Sequence, residues 1–254
     1  MIDWVKLNPL YERKSYRIVQ RHIKKILTRI PIDNATLRDY KLLIELNITH
    51  EQIYKMFLEI YKTIGLDYGN RVYKELEKTK KANILLNEQL LKEILLFLSN
   101  EGGVKIVTVR NTLIEDLIKA IQTSLGENGT IVDLRNAIYE SVTKNQAYKK
   151  WMALRIARTE TTFAAGFTAM KTAEQSDLVL QKEWISVLDN RTRRDHKIVD
   201  GTIVDFDSPF IMASGASLQY PGDTKAPANE VINCRCTIAF VPKRDANGML
   251  ILKQ

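Results

Sequence analysis

The sequence predicts an α+β fold: a mainly helical N-terminal region, then a small C-terminal α+β domain in which a long helix packs on a short antiparallel sheet with long loops. Three observations carry this prediction. Apolar residues recur at three-to-four spacing through most of the chain up to Ser176. Segments rich in β-branched and aromatic residues that read as strands come after about Asp177. Between those late segments, glycine, proline, serine and aspartate accumulate as they do in loops. Helices first and strands late is the order of an α+β chain or of two separate units. The boundary is set at 129/130, giving a helical region over 1–129 and a second unit over 130–254.

Taken in order, "YERKSYRIVQRHIKKILTRI" places Ile18, Val19, Ile23, Ile26, Leu27 and Ile30 on one helical face, and Pro31 ends it. Asp33 or Asn34 is the expected cap of a short helix over "ATLRDYKLLIEL". Thr49 followed by Gln52 has capping-box spacing, and the stripe Ile53, Met56, Phe57, Ile60, Tyr61 and Ile64 runs on past Gly65 and Gly69 to about Lys81. "ILLNEQLLKEILLFLSN" is helical and is expected to stop near Gly102-Gly103. Residues 104–108 are ambiguous, because "GVKIVTVR" is β-branched yet leads directly into a helix that ends at Gly126. "TIVDLRNAIYESV" is a short helix with Thr130 or Asp133 near its start, and a long alanine-rich helix follows from about Asn145 to Ser176. "LQKEWISVLD", "GTIVDFDSPF" and "VINCRCTIAFVPK" are the strand candidates, and 212–230 is read as loop.

The length, 254 residues, allows a sizeable core in one or two domains. No run of about eighteen apolar residues argues for a membrane helix, and the start "MIDWVKLNPLYERK" has no secretory h-region. Two cysteines one residue apart make no disulfide framework, so reduced thiols in a cytoplasm-like compartment are expected. The net charge of +8 is uneven: residues 1–29 hold eight Lys or Arg against Asp3 and Glu12, which is +6, leaving +2 for the other 225. Arg13, Lys14, Arg17, Arg21, Lys24, Lys25 and Arg29 form a basic segment suited to nucleic acid, an acidic protein or an anionic surface, or simply a solvated helix face.

Uncommon polar residues crowd the last third. Arg158, Thr159 and Glu160 lie on the long helix, with Arg155 on the same face as Arg158. Trp184 precedes a turn carrying Asp189, Arg191, Thr192, Arg193 and His196, then Asp200-Gly201. Pro221-Gly222-Asp223 and Asn233-Cys234-Arg235-Cys236 follow. In this order and at these separations the set resembles the phage Mu protein F-like domain of minor head (head morphogenesis) proteins of tailed bacteriophages, over roughly 130–242. The resemblance implies a structural protein of the virion, held in a few copies inside the capsid near the portal vertex and present in the host cytoplasm during assembly. It implies portal protein and capsid or scaffold proteins as partners, and a part in genome packaging or ejection through non-specific double-stranded DNA binding. The basic N-terminal helix would then meet portal or genome through contacts that carry no sequence information.

Three readings of the cysteines stand side by side. As a metal site, Cys234, Cys236 and His196 supply three ligands for zinc, and Asp189, Asp195 or Asp200 could complete the tetrahedron. As a nucleophile, a cysteine with His196 and an aspartate has the residue types of a triad, and Arg with Glu near a cleft suits a nuclease or an ADP-ribosyltransferase-like enzyme. Toxin domains accompany some relatives of this family, but only about twelve residues follow the matched region here. As structure, both cysteines on a strand enter the core while Asn233 and Arg235 point away, Arg235 toward Asp189, Asp223 or Glu160, and Asn233 holding the Pro-Gly-Asp loop. The third reading is favoured, with no catalytic role and no cofactor expected.

Overall fold

A computed structural model describes residues 2–77, 86–143 and 146–253. Its helices are α1 (Trp4–Leu27), α2 (Tyr40–Asn47), α3 (His50–Ile60), α4 (Leu66–Glu77), α5 (Leu86–Ser99), α6 (Glu101–Leu125), α7 (Ile131–Thr143) and α8 (Gln146–Glu174). After α8 come β1 (Leu180–Ile185), α9 (Arg194–Ile198), β2 (Ile203–Asp205), β3 (Phe210–Ile211), β4 (Ser217–Leu218), α10 (Ala228–Val231) and β5 (Thr237–Pro242). The architecture is α+β, as the order of patterns predicts.

Local chemistry sets most helix limits. Asp3 caps α1 by accepting the Lys6 N–H at 3.2 Å, so the helix starts well before its periodic segment. Pro9 is tolerated inside it because Pro9 and Val5 both face solvent, where the bond proline cannot make costs least. Asp33 and Asn34 do not cap α2. They belong to a single 3-10 turn, Ile32–Asn34, and Thr36 and Asp39 exchange bonds just ahead of Tyr40 instead. The Thr49 capping box is formed on α3: Thr49 N–H donates to Gln52 Oε1 at 2.8 Å and Gln52 N–H to Thr49 Oγ1 at 3.3 Å. A π-helical turn, Tyr61–Gly65, carries α3 into α4, which is described to Glu77; the expected extension to about Lys81 falls outside the described residues.

Gly102 and Gly103 do not end a helix. The chain breaks at Asn100, and both glycines sit in the first turn of α6. Residues 104–108 are helical, because Ile106, Leu113, Leu117 and Ile121 bury one helical stripe while Val104 is left exposed. Gly126, at φ 68°, closes α6 in the left-handed region. Thr130 and Asp133 then exchange bonds at the start of α7.

The centre of the molecule is α8. Every residue from Glu160 to Met170 is buried, so this helix has no solvent face over three turns, and its alanines, threonines and Gly166 let neighbours approach on all sides. α1, α3, α4, α5, the π turn and β5 all pack against it. The sheet is antiparallel in the order β2-β1-β5, with Trp184 opposite Ile238 and Lys182 opposite Val204 and Phe240. β3 and β4 make a separate two-stranded ribbon, β3 at the end of the strand candidate "GTIVDFDSPF" and β4 inside the segment read as loop.

One hydrophobic core runs from α1 through α8 to the sheet. Polar contacts cross the 129/130 boundary as well. Trp4 Nε1 donates to the Arg235 carbonyl at 2.7 Å, Tyr68 bonds Thr237 at 2.8 Å, and Lys105 Nζ meets Glu160 Oε2 at 2.7 Å. Among the described residues, no helix is long and apolar enough to cross a membrane.

Candidate functional site

The polar residues of the last third divide into a brace and a buried cluster. The brace begins where β1 ends. Leu188 takes a positive φ of 58° and turns the chain, and the Asp189 carboxylate gathers the turn by accepting Arg191 N–H at 2.9 Å and Thr192 Oγ1–H at 3.2 Å. Arg235 then grips the same carboxylate with two bonds of 2.6 Å, and its guanidinium holds the Asp189 carboxyl well below the usual range. Arg191 is a looser neighbour, 3.6 Å from Asp189 Oδ2. Arg193 donates to the Ile232 carbonyl. Asp200 accepts Ser186 N–H at 2.6 Å, and Gly201, at φ 73°, donates its N–H to the Trp184 carbonyl at 2.8 Å.

The Pro221-Gly222-Asp223 loop is held differently from expectation. Asn233 does not hold it; the Asn233 backbone N–H binds Thr159 Oγ1 at 3.1 Å. Asp223 organises its own loop by accepting Gln219 N–H and Lys225 N–H, each at 2.9 Å. The loop lies directly on α8, since a Cβ on Gly222 would stand 3.0 Å from Phe163 Cα and one on Gly166 would stand 2.6 Å from the Pro221 carbonyl. Gly222 also has φ 85°, a conformation glycine adopts freely.

Arg158 and Glu160 are turned away from the cysteines. Arg158 pairs with Glu12 at 3.3 Å. Glu160, buried, pairs with Lys105, whose ammonium also sits over the Phe163 ring, and burial pulls Lys105 down to about 8. Of the partners expected for Arg235, only Asp189 is the one it takes.

Cys234 and Cys236 are not on a strand. A turn with Asn233 at φ 58° connects α10 to β5, and both cysteines precede the strand, yet both are buried. Thr162 on α8 donates to the Cys234 carbonyl and fixes this turn. Across from it, α9 presents His196, also buried, with Trp184 edge-on to its ring at 5.4 Å. His196 Nδ1 lies 3.3 Å from Cys236 Sγ and 3.6 Å from Cys234 Sγ. Its Nε2 lies 3.0 Å from Glu230 Oε2. Ser214 and Asn229 donate to the other Glu230 oxygen, at 2.8 and 3.3 Å.

Burial works to lower the His196 pKa, but the bonds to Cys236 and Glu230 outweigh it and the net direction is up. The Cys234–Cys236 bond and burial push the Cys234 thiol well up. Cys236, accepting from Cys234 and facing His196, is drawn well down despite its burial. Glu230 is the member sequence reasoning missed. It sits 34 residues from His196, on a four-residue helix inside a segment read as loop, and it meets the histidine on the side away from the sulfurs; among the described residues none of Asp189, Asp195 and Asp200 joins the three sulfur and nitrogen donors. The void beside the cluster is only about 10 Å³.

The basic residues Arg13, Lys14, Arg17, Arg21, Lys24 and Lys25 of α1, and Arg29 in the turn after it, are all exposed. Arg21 is drawn to Glu59, and Lys14 lies 5.8 Å from the Tyr11 ring.

Fold and site together define a structural class: an α+β unit whose buried central helix carries Arg-Thr-Glu, and whose Cys-Arg-Cys turn closes over a buried histidine. The chain belongs to the Phage Mu protein F like family, which matches residues 111–239 and so reaches back into α6. Over 128 residues, half of this chain and 41% of the relative, it is 29% identical to minor head protein GP7 of Bacillus phage SPP1. Over 131 residues, again half of this chain but 26% of the relative, it is 34% identical to the NAD(+)–arginine ADP-ribosyltransferase EFV of Enterococcus faecalis (strain ATCC 700802 / V583). The chain thus matches less than half the length of either relative. No solved structure matches it.

Proposed function

We propose that this chain is a minor head protein of a tailed bacteriophage that acts in head morphogenesis, with its α1 face docked on the packaged genome near the portal. The observation that carries the reading is the family match, joined to a relative named as a minor head protein over the same half of the chain. The exposed lysines and arginines of α1 supply the surface that phosphate contacts need, on a helix whose other side is fixed in the core. Portal protein is the other partner such a face suits, and capsid or scaffold proteins are expected neighbours in the virion.

The test is duplex binding against salt. Wild-type affinity should fall steeply as salt rises, and reversing Arg17, Lys24 and Lys25 to glutamate should cost at least about tenfold. Binding unchanged by the reversal and indifferent to salt would remove DNA as the target. Loss of portal capture with intact duplex binding would move the face to the portal.

A second reading, an enzyme of the ADP-ribosyltransferase or nuclease kind, rests on the name of the other relative. The His196–Cys234–Cys236 region does not favour it, because all three side chains are buried and the adjoining void of about 10 Å³ admits no nucleotide. Release of nicotinamide from NAD+ by the purified chain, abolished by Glu160→Gln or His196→Ala in a folded variant, would establish it.

A further inference from the structure

We propose that His196 Nδ1, Cys234 Sγ and Cys236 Sγ bind a zinc ion, with Glu230 orienting the histidine from behind. A tetrahedral zinc with bonds of about 2.3 Å to sulfur and about 2.0–2.1 Å to nitrogen separates a nitrogen from a sulfur by about 3.6 Å. The two nitrogen–sulfur separations here are 3.3 and 3.6 Å, and all three donor atoms lie within 4.8 Å of one another. Nδ1 faces both sulfurs at once, and one ion among the three would be held by all of them.

The second observation lies on the far side of the ring. Glu230 Oε2 lies 3.0 Å from Nε2, and with the proton of a neutral ring given to that carboxylate the Nδ1 lone pair faces the sulfurs. This is the carboxylate–histidine–metal relay that orients ligating histidines. Glu230 is itself held by Ser214 and Asn229, so the relay is rigid. The donor set of two thiolates and an imidazole selects zinc over hard cations, which require oxygen. The void of about 10 Å³ bordered by the three residues is close to the size of one small occupant. Three protein donors leave a fourth position for a water or for Ser186 Oγ, which is 3.4 Å from Cys236 Sγ. The ion would tie α9 to the turn ahead of β5 and so lock the closing segment of the fold. This inference stands independently of a role in a phage head.

The experiment is metal analysis of the full chain purified without chelator, followed by cobalt titration of the zinc-stripped protein. Expected are about one zinc per chain and the thiolate-to-cobalt charge-transfer and intense visible bands of tetrahedral cobalt. Cys236→Ser should abolish the charge-transfer change or lower affinity at least tenfold. If that variant does not fold, Glu230→Gln serves instead: it keeps the donors and should weaken zinc binding about 10–100-fold in a chelator competition. Less than about a tenth of an equivalent of zinc with no cobalt bands in folded wild type overturns the proposal. So does zinc binding unaffected by both variants.

Discussion

Arg235 and Asp189 meet as two parallel hydrogen bonds, Nη1 to Oδ2 and Nη2 to Oδ1, both at 2.6 Å. The arginine is nearly buried and the aspartate about one-third exposed, so the pair works at the rim of the core, where solvent screens it in part. Because the same carboxylate accepts the backbone of its own turn, it joins the chain after β1 to the chain before β5.

Asp189→Asn is therefore expected to cost about 1–2 kcal/mol at neutral pH. The sign with pH follows from the lowered carboxyl. An unpaired aspartate titrates near about 3.9, so as pH falls the unfolded chain takes up its proton first. The stabilisation is complete above about pH 4 and is lost as pH drops through the lowered folded value. Urea unfolding at pH 7 and in acid checks this: the variant should lose less between the two conditions than wild type.

Gly166→Ala should destabilise, against the usual sign. In an exposed helix interior the change gains about 1 kcal/mol. Here the new Cβ would stand 2.6 Å from the Pro221 carbonyl and 2.8 Å from Tyr220 Cδ2, so the Pro-Gly-Asp loop must lift. A loss of about 1–3 kcal/mol is expected, read as a lower melting temperature. A gain would show that the loop yields without cost.

Glu160→Gln and Lys105→Met should each be costly, about 3 kcal/mol, because each strands its partner in the core. The double variant should cost much less than the sum, and additive losses would show that the pair is not coupled. Lys105, held down to about 8, gives up its proton in the folded chain before it does in the unfolded chain. Between about pH 8 and 10.4 the unfolded state binds more protons, so this group makes stability rise with pH. Lys105→Met should remove that rise.

Trp4→Phe keeps a ring beside Tyr68 at the 5.0 Å contact but strips the donor from the buried Arg235 carbonyl. A cost of about 1–3 kcal/mol is expected from the unsatisfied group. Chemical denaturation followed by the remaining tryptophans measures it.

Features set by neighbouring residues were legible in the sequence. The Thr49–Gln52 box, the stop at Gly126 and the long alanine-rich helix each depend on chemistry within a few positions. The Asp189–Arg235 pair was legible as one of three options, because charge type limits partners without choosing among them. What was hidden depends on distant packing. Residues 104–108 look like a strand until Ile106 is placed in a stripe that continues to Ile121. Cys234 and Cys236 are both buried, but through a turn with Asn233 in the left-handed region rather than through strand alternation. Glu230 carries no local signal at all; only the return of the chain after β4 brings it to His196.

The Trp4–Arg235 bond joins positions 231 residues apart. On the ribosome, α1 emerges early, and its indole donor must wait for this partner until the Cys-Arg-Cys turn has been synthesised. Closure of this contact is thus a late event in translation, after the helices that α1 packs against have been made.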